Sequence, residues 1–276
     1  MIAVRGATPD DYDTYVRLFP ELGVDDPTPT RDRFIAEMIP RTIIATADGA
    51  VAGYLLYERM DTTGYIRNVV TAPEHRRKGV GAALMRAAKE CFAGAASWAL
   101  NVKQDNAAAI ALYERVGLAT AHRTVVTRLP ADVVLPLPDP GFSVAPLPPE
   151  RDAMTERVMK LLPGQLASAR KKSGRSVIAL TRRSVAVGEG AGAGVANLLG
   201  VGELAGVAVM MPIGAFPFRL LDAAHASTFM GLLRPSAAPD AAFVQFSAED
   251  HAALAAELLR LGCEVRMELL HMSGRL

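Results

Sequence analysis

The pattern of hydrophobic and polar positions divides the first 130 residues into short strands and amphipathic helices. Apolar or alternating runs predict strands at 2–7, 42–47, 51–60, 65–71 and 120–129, and another strand begins at Ser97. Thr8-Pro9-Asp10-Asp11 predicts a helix start, since threonine caps, proline suits the first turn and acids favour the positive end of the helix dipole. A second short helix is predicted from near Thr30, and Asp48-Gly49 predicts a hairpin. The resulting order, β-α-α-β-β-β-α-β-α-β, indicates an α/β fold with a mixed sheet.

The strand at 65–71 is followed by a basic, glycine-containing loop and an alanine-rich helix. The segment reads Val69-Val70, then Arg76-Arg77-Lys78-Gly79-Val80-Gly81-Ala82. Such a junction directs backbone N–H groups and a helix dipole toward one point, and the glycines let the backbone approach an anion closely. We therefore expect a phosphate site here, with a solvated basic turn as the alternative.

A second segment follows the strand that begins at Ser97. Asp105 or Asn106 can cap a helix that ends at Gly117, a residue type suited to the left-handed position after a helix. Asn106 and Tyr113 are seven residues apart and share one helix face. The alternative for Tyr113 is a core aromatic, because Ile110 and Val116 are its neighbours.

Together these segments resemble the signatures of the GNAT acetyltransferase superfamily. Arg76-x-x-Gly79-x-Gly81 resembles the loop that holds the pyrophosphate of acetyl-coenzyme A. The helix segment resembles the second signature, with Leu118 in place of the usual aromatic. The resemblance implies a GNAT fold and a coenzyme site formed by Val69, Val70, Arg76, Arg77, Lys78, Gly79, Val80, Gly81, Ala82, Asn106 and Tyr113. It also implies that Asn106 binds the pantetheine arm and that Tyr113 stands beside the sulfur.

The chemistry of amine acetylation asks for a proton donor to the leaving thiolate and a base for the incoming ammonium. Tyr113 suits the first role. For the base we consider Glu58, whose alternative is an exposed charge at a strand end, while Asp61 is assigned to a turn and Glu74 to the loop. The acceptor is expected to be a small-molecule amine or a peptide amine. Residues 19–27 are expected to form one wall of its pocket, with Tyr54 and Tyr57 as further candidates for its lining.

The second half of the chain is expected to be a degenerate copy of the first. Prolines at 130–140 predict a stiff linker (131–141) between a catalytic domain (1–130) and a GNAT-like domain (142–276). Residues 243–264 align with 98–119 at a constant offset, although alanine-rich segments also match by chance. Asn106 then meets His251 and Tyr113 meets Leu258, so the copy is not expected to bind the coenzyme. We read the glycine run at 188–194 as a flexible loop.

Composition adds several exclusions. The formal net charge is +1 and no basic stripe is present, which argues against nucleic acid. No apolar run is long enough for a membrane span, the two cysteines give no disulfide framework, and the five histidines show no metal-ligand spacing. We therefore predict a cytoplasmic, metal-free N-acetyltransferase that uses acetyl-coenzyme A in a ternary complex. Its second domain would complete the acceptor pocket or an oligomer interface, such as that of a homodimer. The alternative is a non-catalytic acyl-coenzyme A sensor.

Overall fold

The computed structural model describes residues 1–24, 27–183 and 203–276. The chain forms two compact units, Met1–Ala121 with Leu270–Leu276 and His122–Leu269. The first boundary therefore lies upstream of the proline-rich segment, and the last residues of the chain belong to the first unit.

Strands and helices alternate along the chain largely as the pattern predicts. The strands are β1 (Ile2–Gly6), β2 (Thr42–Ala47), β3 (Ala50–Met60), β4 (Thr63–Thr71), β5 (Ser97–Lys103), β6 (Ala119–Pro130), β7 (Phe142–Pro146), β8 (Ser176–Arg182), β9 (Glu203–Met211), β10 (Gly214–Leu220), β11 (Phe243–Glu249) and β12 (Glu264–Arg275). The helices are α1 (Tyr12–Leu18), α2 (Arg31–Arg33), α3 (Val80–Cys91), α4 (Ala107–Arg115), α5 (Asp152–Val158), α6 (Gln165–Arg170), α7 (Ala226–Leu233) and α8 (Ala252–Arg260).

Local signals account for the turns and helix ends of the first unit. Asp48 and Gly49 both have positive φ, 51° and 84°, as a tight hairpin requires. Thr30 accepts a hydrogen bond from the Arg33 N–H and caps α2, which continues as one π-helical turn over Phe34–Met38. Gly117 has a φ of 94°, the left-handed conformation expected just after α4.

The first unit is a sheet in the order β1-β2-β3-β4-β5-β12, with helices on both faces. One face, called the α3 face, packs its apolar side chains in a single cluster with α3 and α4. The opposite face, called the α1 face, packs on α1 and the turn that follows α2. Alternation along each strand therefore assigns every side chain to one of the two faces.

The second unit repeats this topology with the order β6-β11-β10-β9-β8-β7. In the second half of the chain the elements β7-α5-α6-β8-β9-β10-α7-β11-α8-β12 follow the same succession as β1 to β6 in the first half. Gly262 has a φ of 90° after α8, as Gly117 has after α4. The duplicated fold is thus confirmed by element order as well as by residue offset.

The proline-rich segment packs within the second unit. Val133 and Leu135 pack against its core, and the Arg234 guanidinium donates to the Val133 carbonyl at 2.6 Å and also to that of Ala131. Prolines predict an extended backbone for the segment, and its partly buried aliphatic side chains decide where it lies. The glycine run at 188–194 lies outside the described residues.

Candidate functional site

Strands β4 and β5 are paired along only part of their length. Their parallel pairing runs from Thr63↔Ser97 to Ile66↔Leu100 and then stops, although both strands continue. Where this pairing stops, β4 has a β-bulge relative to β3. Leu56 pairs with Asn68 and Tyr57 with Ile66, so Arg67 is the extra residue of the bulge. The two strands therefore diverge and leave a gap, here called the β4–β5 gap, bounded by residues 67–71 and 101–103. Backbone groups of β4 along this gap, including those of Val69 and Val70, are not paired with β5.

The basic loop joins the end of β4 to the first turn of α3. Gly79 is the residue before the helix and has a φ of 88°, a conformation that side chains other than glycine rarely adopt. The N–H groups of Val80, Gly81 and Ala82 lie in the first turn, where a helix leaves N–H groups without intrahelical partners. These groups and the helix dipole make the junction suited to an anion.

Gly81 is required for a different reason from the one that the motif suggests. A Cβ at this position would lie 2.9 Å from Leu112 Cδ2 on α4, closer than real Cβ contacts. A Cβ at Gly79 would meet only Ile2 Cδ1 at 3.7 Å. Gly81 thus permits close packing of α3 against α4, whereas Gly79 permits the left-handed backbone of the loop.

The three basic side chains of the loop have different surroundings. Arg76, Arg77 and Lys78 are all exposed. The Arg76 guanidinium donates to the Glu21 carboxylate, which belongs to the predicted pocket wall. Arg77 has a positive φ of 60°. Arg76 therefore joins the basic loop to the predicted wall, and Arg77 and Lys78 present their charge to solvent.

Asn106 and Tyr113 lie on α4 as the sequence predicts. Asn106 caps the helix, with its Oδ1 accepting from the Ala109 N–H at 3.1 Å, which leaves the exposed amide NH2 as a donor. Tyr113 is 7% exposed and packs within the apolar cluster of the α3 face. Burial raises the pKa of Tyr113 to about 12, so its hydroxyl keeps its proton at neutral pH. The core-aromatic alternative and a proton-donor role are compatible at this position.

Glu58 lies on the α1 face of β3, opposite Tyr65 of β4. It is buried, so the alternative of an exposed strand-end charge is wrong. Asp61 is in the turn between β3 and β4 with a φ of 42°, and Glu74 is exposed, 3.7 Å from Arg17. Glu58 is therefore the buried carboxylate among the three that we considered.

The two hairpin tyrosines belong to the core. The Tyr54 ring is 1% exposed and lies 4.9 Å, centroid to centroid, from that of Tyr15 beneath α1. Tyr57 meets Phe92 edge-on on the α3 face. Aromatic packing on the two faces involves both rings, and their place in the lining of the acceptor pocket stays a prediction.

The predicted wall is attached to the sheet at two points. Lys103 of β5 donates from Nζ to the carbonyl of Gly23, and Glu21 accepts from Arg76. Phe19 is buried on the α1 face. The wall therefore lies at the α1-face side of the β4–β5 gap; its residues 25–26 lie outside the described residues.

Sequence reasoning missed a polar pair on the same face. His271 Nδ1 lies 2.8 Å from Asn101 Oδ1, and His271 is 9% exposed. Leu270 and Met272 pack in the cluster of the α3 face, so alternation directs His271 to the α1 face. A polar residue between two apolar ones in the last strand was the available signal, but nothing local shows that this strand belongs to the first unit.

The second unit lacks these features at corresponding positions. His251 caps α8 through Nδ1, 3.1 Å from the Leu254 N–H, and Leu258 is fully buried where the first unit has Tyr113. Strands β10 and β11 also separate, after Ala215↔Phe246. There the Arg219 guanidinium crosses from β10 to β11 and donates to Glu249, to Oε2 at 2.5 Å and to the backbone carbonyl. An ion pair thus fills the opening that corresponds to the β4–β5 gap.

Neither a metal-binding group nor a membrane-spanning helix is found among the described residues. Within residues 1–24, 27–183 and 203–276, no group of three or more His, Cys, Asp or Glu side chains is arranged to hold a metal ion. In the same ranges, none of the helices has the length and apolar character needed to cross a bilayer.

Comparison with known proteins agrees with this description. Residues 11–118 match the model of the acetyltransferase (GNAT) family. Streptothricin acetyltransferase from Streptomyces lavendulae is 37% identical over 110 residues, which are 38% of this chain and 57% of that protein. The match thus spans little more than half of that relative's length.

Solved structures show the same fold over the whole chain. A putative acetyltransferase from Pyrococcus horikoshii has a TM-score of 0.69 at 14% identity, covering 100% of this chain and 89% of its own. A tandem GNAT protein from the clavulanic acid biosynthesis pathway has a TM-score of 0.58 at 17% identity, covering 100% and 98%. Residues 11–118 of the first unit therefore match the GNAT acetyltransferase family, and the second unit has the same fold without the sequence signatures of the first.

Proposed function

We propose that this protein is an acetyl-coenzyme A-dependent N-acetyltransferase that acts on a primary amine by direct transfer in a ternary complex. The observation that carries the proposal is the β4–β5 gap, which has an anion-binding helix start at the end of β4 and a buried phenol on α4. An anion site alone would serve many ligands. A gap with unpaired backbone groups beside it suits an extended chain that bears a thioester.

The residues of the first unit fit this coenzyme. The N–H groups of Val80, Gly81 and Ala82, with Arg77 and Lys78, would hold the pyrophosphate. The backbone of Val69 and Val70 and the amide NH2 of Asn106 would hydrogen-bond the pantetheine arm. When bound, acetyl-coenzyme A supplies the thioester carbonyl that the amine attacks.

Two side chains have proposed chemical roles. Tyr113 donates its hydroxyl proton to the sulfur as the carbon–sulfur bond breaks, and its raised pKa keeps that proton available at neutral pH. Glu58 attracts the alkylammonium acceptor on the α1 face and is the candidate base among the carboxylates. The second unit would complete the acceptor pocket or form an oligomer interface, and the protein would act in the cytoplasm.

Two measurements test the proposal. Acetyl-coenzyme A should raise the melting temperature, since a ligand at 100 times its Kd stabilises the folded state by about 2.7 kcal/mol. A thiol-release screen over amines, amino acids, aminoglycosides and peptides should then identify an acceptor. No thermal shift would refute the coenzyme site. A shift without thiol release for any acceptor would favour the acyl-coenzyme A sensor.

Single substitutions separate binding from chemistry. Tyr113→Phe should keep the acetyl-coenzyme A thermal shift and lower kcat by about 100-fold or more. Lys78→Ala should weaken coenzyme binding, whereas Lys171→Ala, which removes an equally exposed charge from the second unit, should not. Unchanged turnover in Tyr113→Phe would show that the phenol is only a core side chain.

A further inference from the structure

Asn101 lies at the edge of the β4–β5 gap and is hydrogen-bonded to His271 of β12, the next strand beyond β5. Leu100 is the last residue of β5 paired with β4, and Asn101 is the first residue beyond it. Asn101 alternates with Leu100 and Val102 of the α3-face cluster, so its side chain lies on the α1 face, as does that of His271. The imidazole therefore lies on the same face as the predicted acceptor wall, one strand beyond the edge of the gap, and both residues belong to the first unit.

The hydrogen bond selects one tautomer of the neutral imidazole. His271 Nδ1 lies 2.8 Å from Asn101 Oδ1, and an amide oxygen can only accept. A neutral ring that donates to this oxygen carries its hydrogen on Nδ1 and its lone pair on Nε2. The hydrogen bond to Asn101 fixes the orientation of the ring on β12.

Charged groups on neighbouring strands share this face. Glu58 pairs with Tyr65 and Tyr65 with Ala99, so the three residues form a row across β3, β4 and β5. Adjacent strands are about 4.8 Å apart, so the backbone of Glu58 on β3 is three strand spacings, about 14 Å, from that of His271 on β12. Arg67 lies over the Tyr65 ring, 5.6 Å from its centroid, and Lys103 donates to Gly23.

We propose that His271 is a catalytic residue of the first unit, whose Nε2 takes the proton from the ammonium of the acceptor, and that Asn101 is its positioning residue. This role rests on the acetyl transfer proposed above. The N–H bond of the ammonium breaks as Nε2–H forms, and the nitrogen lone pair forms the N–C bond to the thioester carbonyl. The C–S bond then breaks with its electron pair on sulfur, which takes a proton from Tyr113. The nitrogen of the new amide loses its second proton through water to the Tyr113 phenolate, which restores the hydroxyl, and Nε2 releases its proton to solvent. Glu58 attracts the cation from the same face.

An imidazole suits this transfer better than a carboxylate. The ideal base has a pKa near the working pH, and histidine has an ordinary value of about 6.5 against about 4.3 for glutamate. Glu58 on its own would be a weak base for an alkylammonium ion. The arrangement thus divides binding of the cation and removal of its proton between two groups.

The tautomer can be measured without turnover. In protein labelled with 15N-histidine at neutral pH, the His271 signals, assigned by their loss in His271→Gln, should show a protonated Nδ1 and an unprotonated Nε2. His225→Gln, which alters a ring in the second unit, serves as the control and should leave these signals in place. Asn101→Leu should remove the preference. A neutral ring with the hydrogen on Nε2 would overturn the proposal.

Kinetics with the best acceptor from the thiol-release screen test the chemical role. His271→Gln should lower kcat by about 100-fold or more near neutral pH, with an unchanged acetyl-coenzyme A thermal shift. The loss should shrink as pH approaches the pKa of the acceptor amine, which then arrives already neutral. Asn101→Leu should lower kcat less and alter the acidic limb of the pH profile.

The outcomes are distinguishable. Wild-type protein that shows no thiol release would overturn the proposed function and this role with it. An active wild type together with a His271→Gln variant that keeps its kcat and its acidic limb would overturn the role of His271 alone. Because Asn101→Leu leaves the imidazole in place, it gives an independent result if His271→Gln does not fold.

Discussion

Removing Arg219 should destabilise the second unit strongly, because it leaves a buried carboxylate without its partner. Arg219 and Glu249 have side chains 11% and 10% exposed, and their closest N–O distance is 2.5 Å. Burial raises the pKa of Glu249, while the charge and hydrogen bond of Arg219 oppose that rise. Breaking a buried pair costs about 3–5 kcal/mol. For a unit of this size that lowers the melting temperature by about 6–20 °C.

The same reasoning predicts that removing both charges is mild. Arg219→Met with Glu249→Leu replaces the pair by apolar side chains and should lie within about 2 kcal/mol of wild type, or be more stable. Urea unfolding of the full chain, followed by far-UV circular dichroism, gives the free energy of unfolding of the wild type, of Arg219→Met and of the double variant. Arg260→Met, which breaks an exposed Arg–Glu pair on α8, is the matched control and should leave the midpoint unchanged.

The pH dependence gives a second check with a definite sign. A carboxyl group whose pKa is raised by folding binds its proton more tightly in the folded state. Its stabilising contribution is therefore complete below the unfolded pKa and is lost as pH rises through the folded pKa. In Arg219→Met the opposing charge is gone, so the penalty should be smallest near pH 4–5 and grow toward neutral pH. Equal losses in single and double variants, or a loss that is independent of pH, would refute this reasoning.

Three further predictions concern the first unit. Gly79→Ala and Gly117→Ala should each lower the free energy of unfolding by about 1–2 kcal/mol, since both glycines have a left-handed φ. Only Gly79→Ala should weaken acetyl-coenzyme A binding. Equal affinity of the two variants for the coenzyme would contradict the assignment of the loop. Asn106→Asp keeps the helix cap and removes the amide donor, so melting should be unchanged while the coenzyme Kd rises several-fold; an unchanged Kd would leave capping as its role. Met272→Ala should lower the free energy of unfolding by about 2–5 kcal/mol, because Met272 is fully buried in the same cluster as Trp98. Fluorescence of Trp98, the one tryptophan, should show a lower unfolding midpoint. An unaffected midpoint would place β12 elsewhere.

Local chemistry explains why so much of the fold could be predicted from the sequence. The Asp48-Gly49 turn, the Thr30 cap and the glycine after α4 each depend on a few adjacent residues, and each is found where expected. The strand–loop–helix that would hold the coenzyme is equally local. Periodicity could not predict the π-helical turn at Phe34–Met38, because it depends on how the helix end packs.

Long-range packing explains the differences. Prolines at 130–140 predict a linker, but partial burial of Val133 against the second core makes the segment part of a unit. Glu58 stands near a strand end in a polar context, which favours exposure by pattern, yet it is buried opposite Tyr65. Neither contact can be deduced from neighbouring residues, because the partners come from distant parts of the chain.

One side of the proposed site is formed by consecutive elements and the other by elements distant in sequence, and this difference bears on acceptor specificity. The α3 side is formed by β4, the basic loop, α3 and α4, which are consecutive elements, so a short motif identifies it. The α1 side draws on β3, β4, β5 and β12, and its His271 comes from the last strand of the chain. Substitutions there can change the acceptor without altering any residue of the motif. Sequence similarity in the motif therefore predicts the coenzyme, and the acceptor has to be sought in the residues that β12 brings to the first unit.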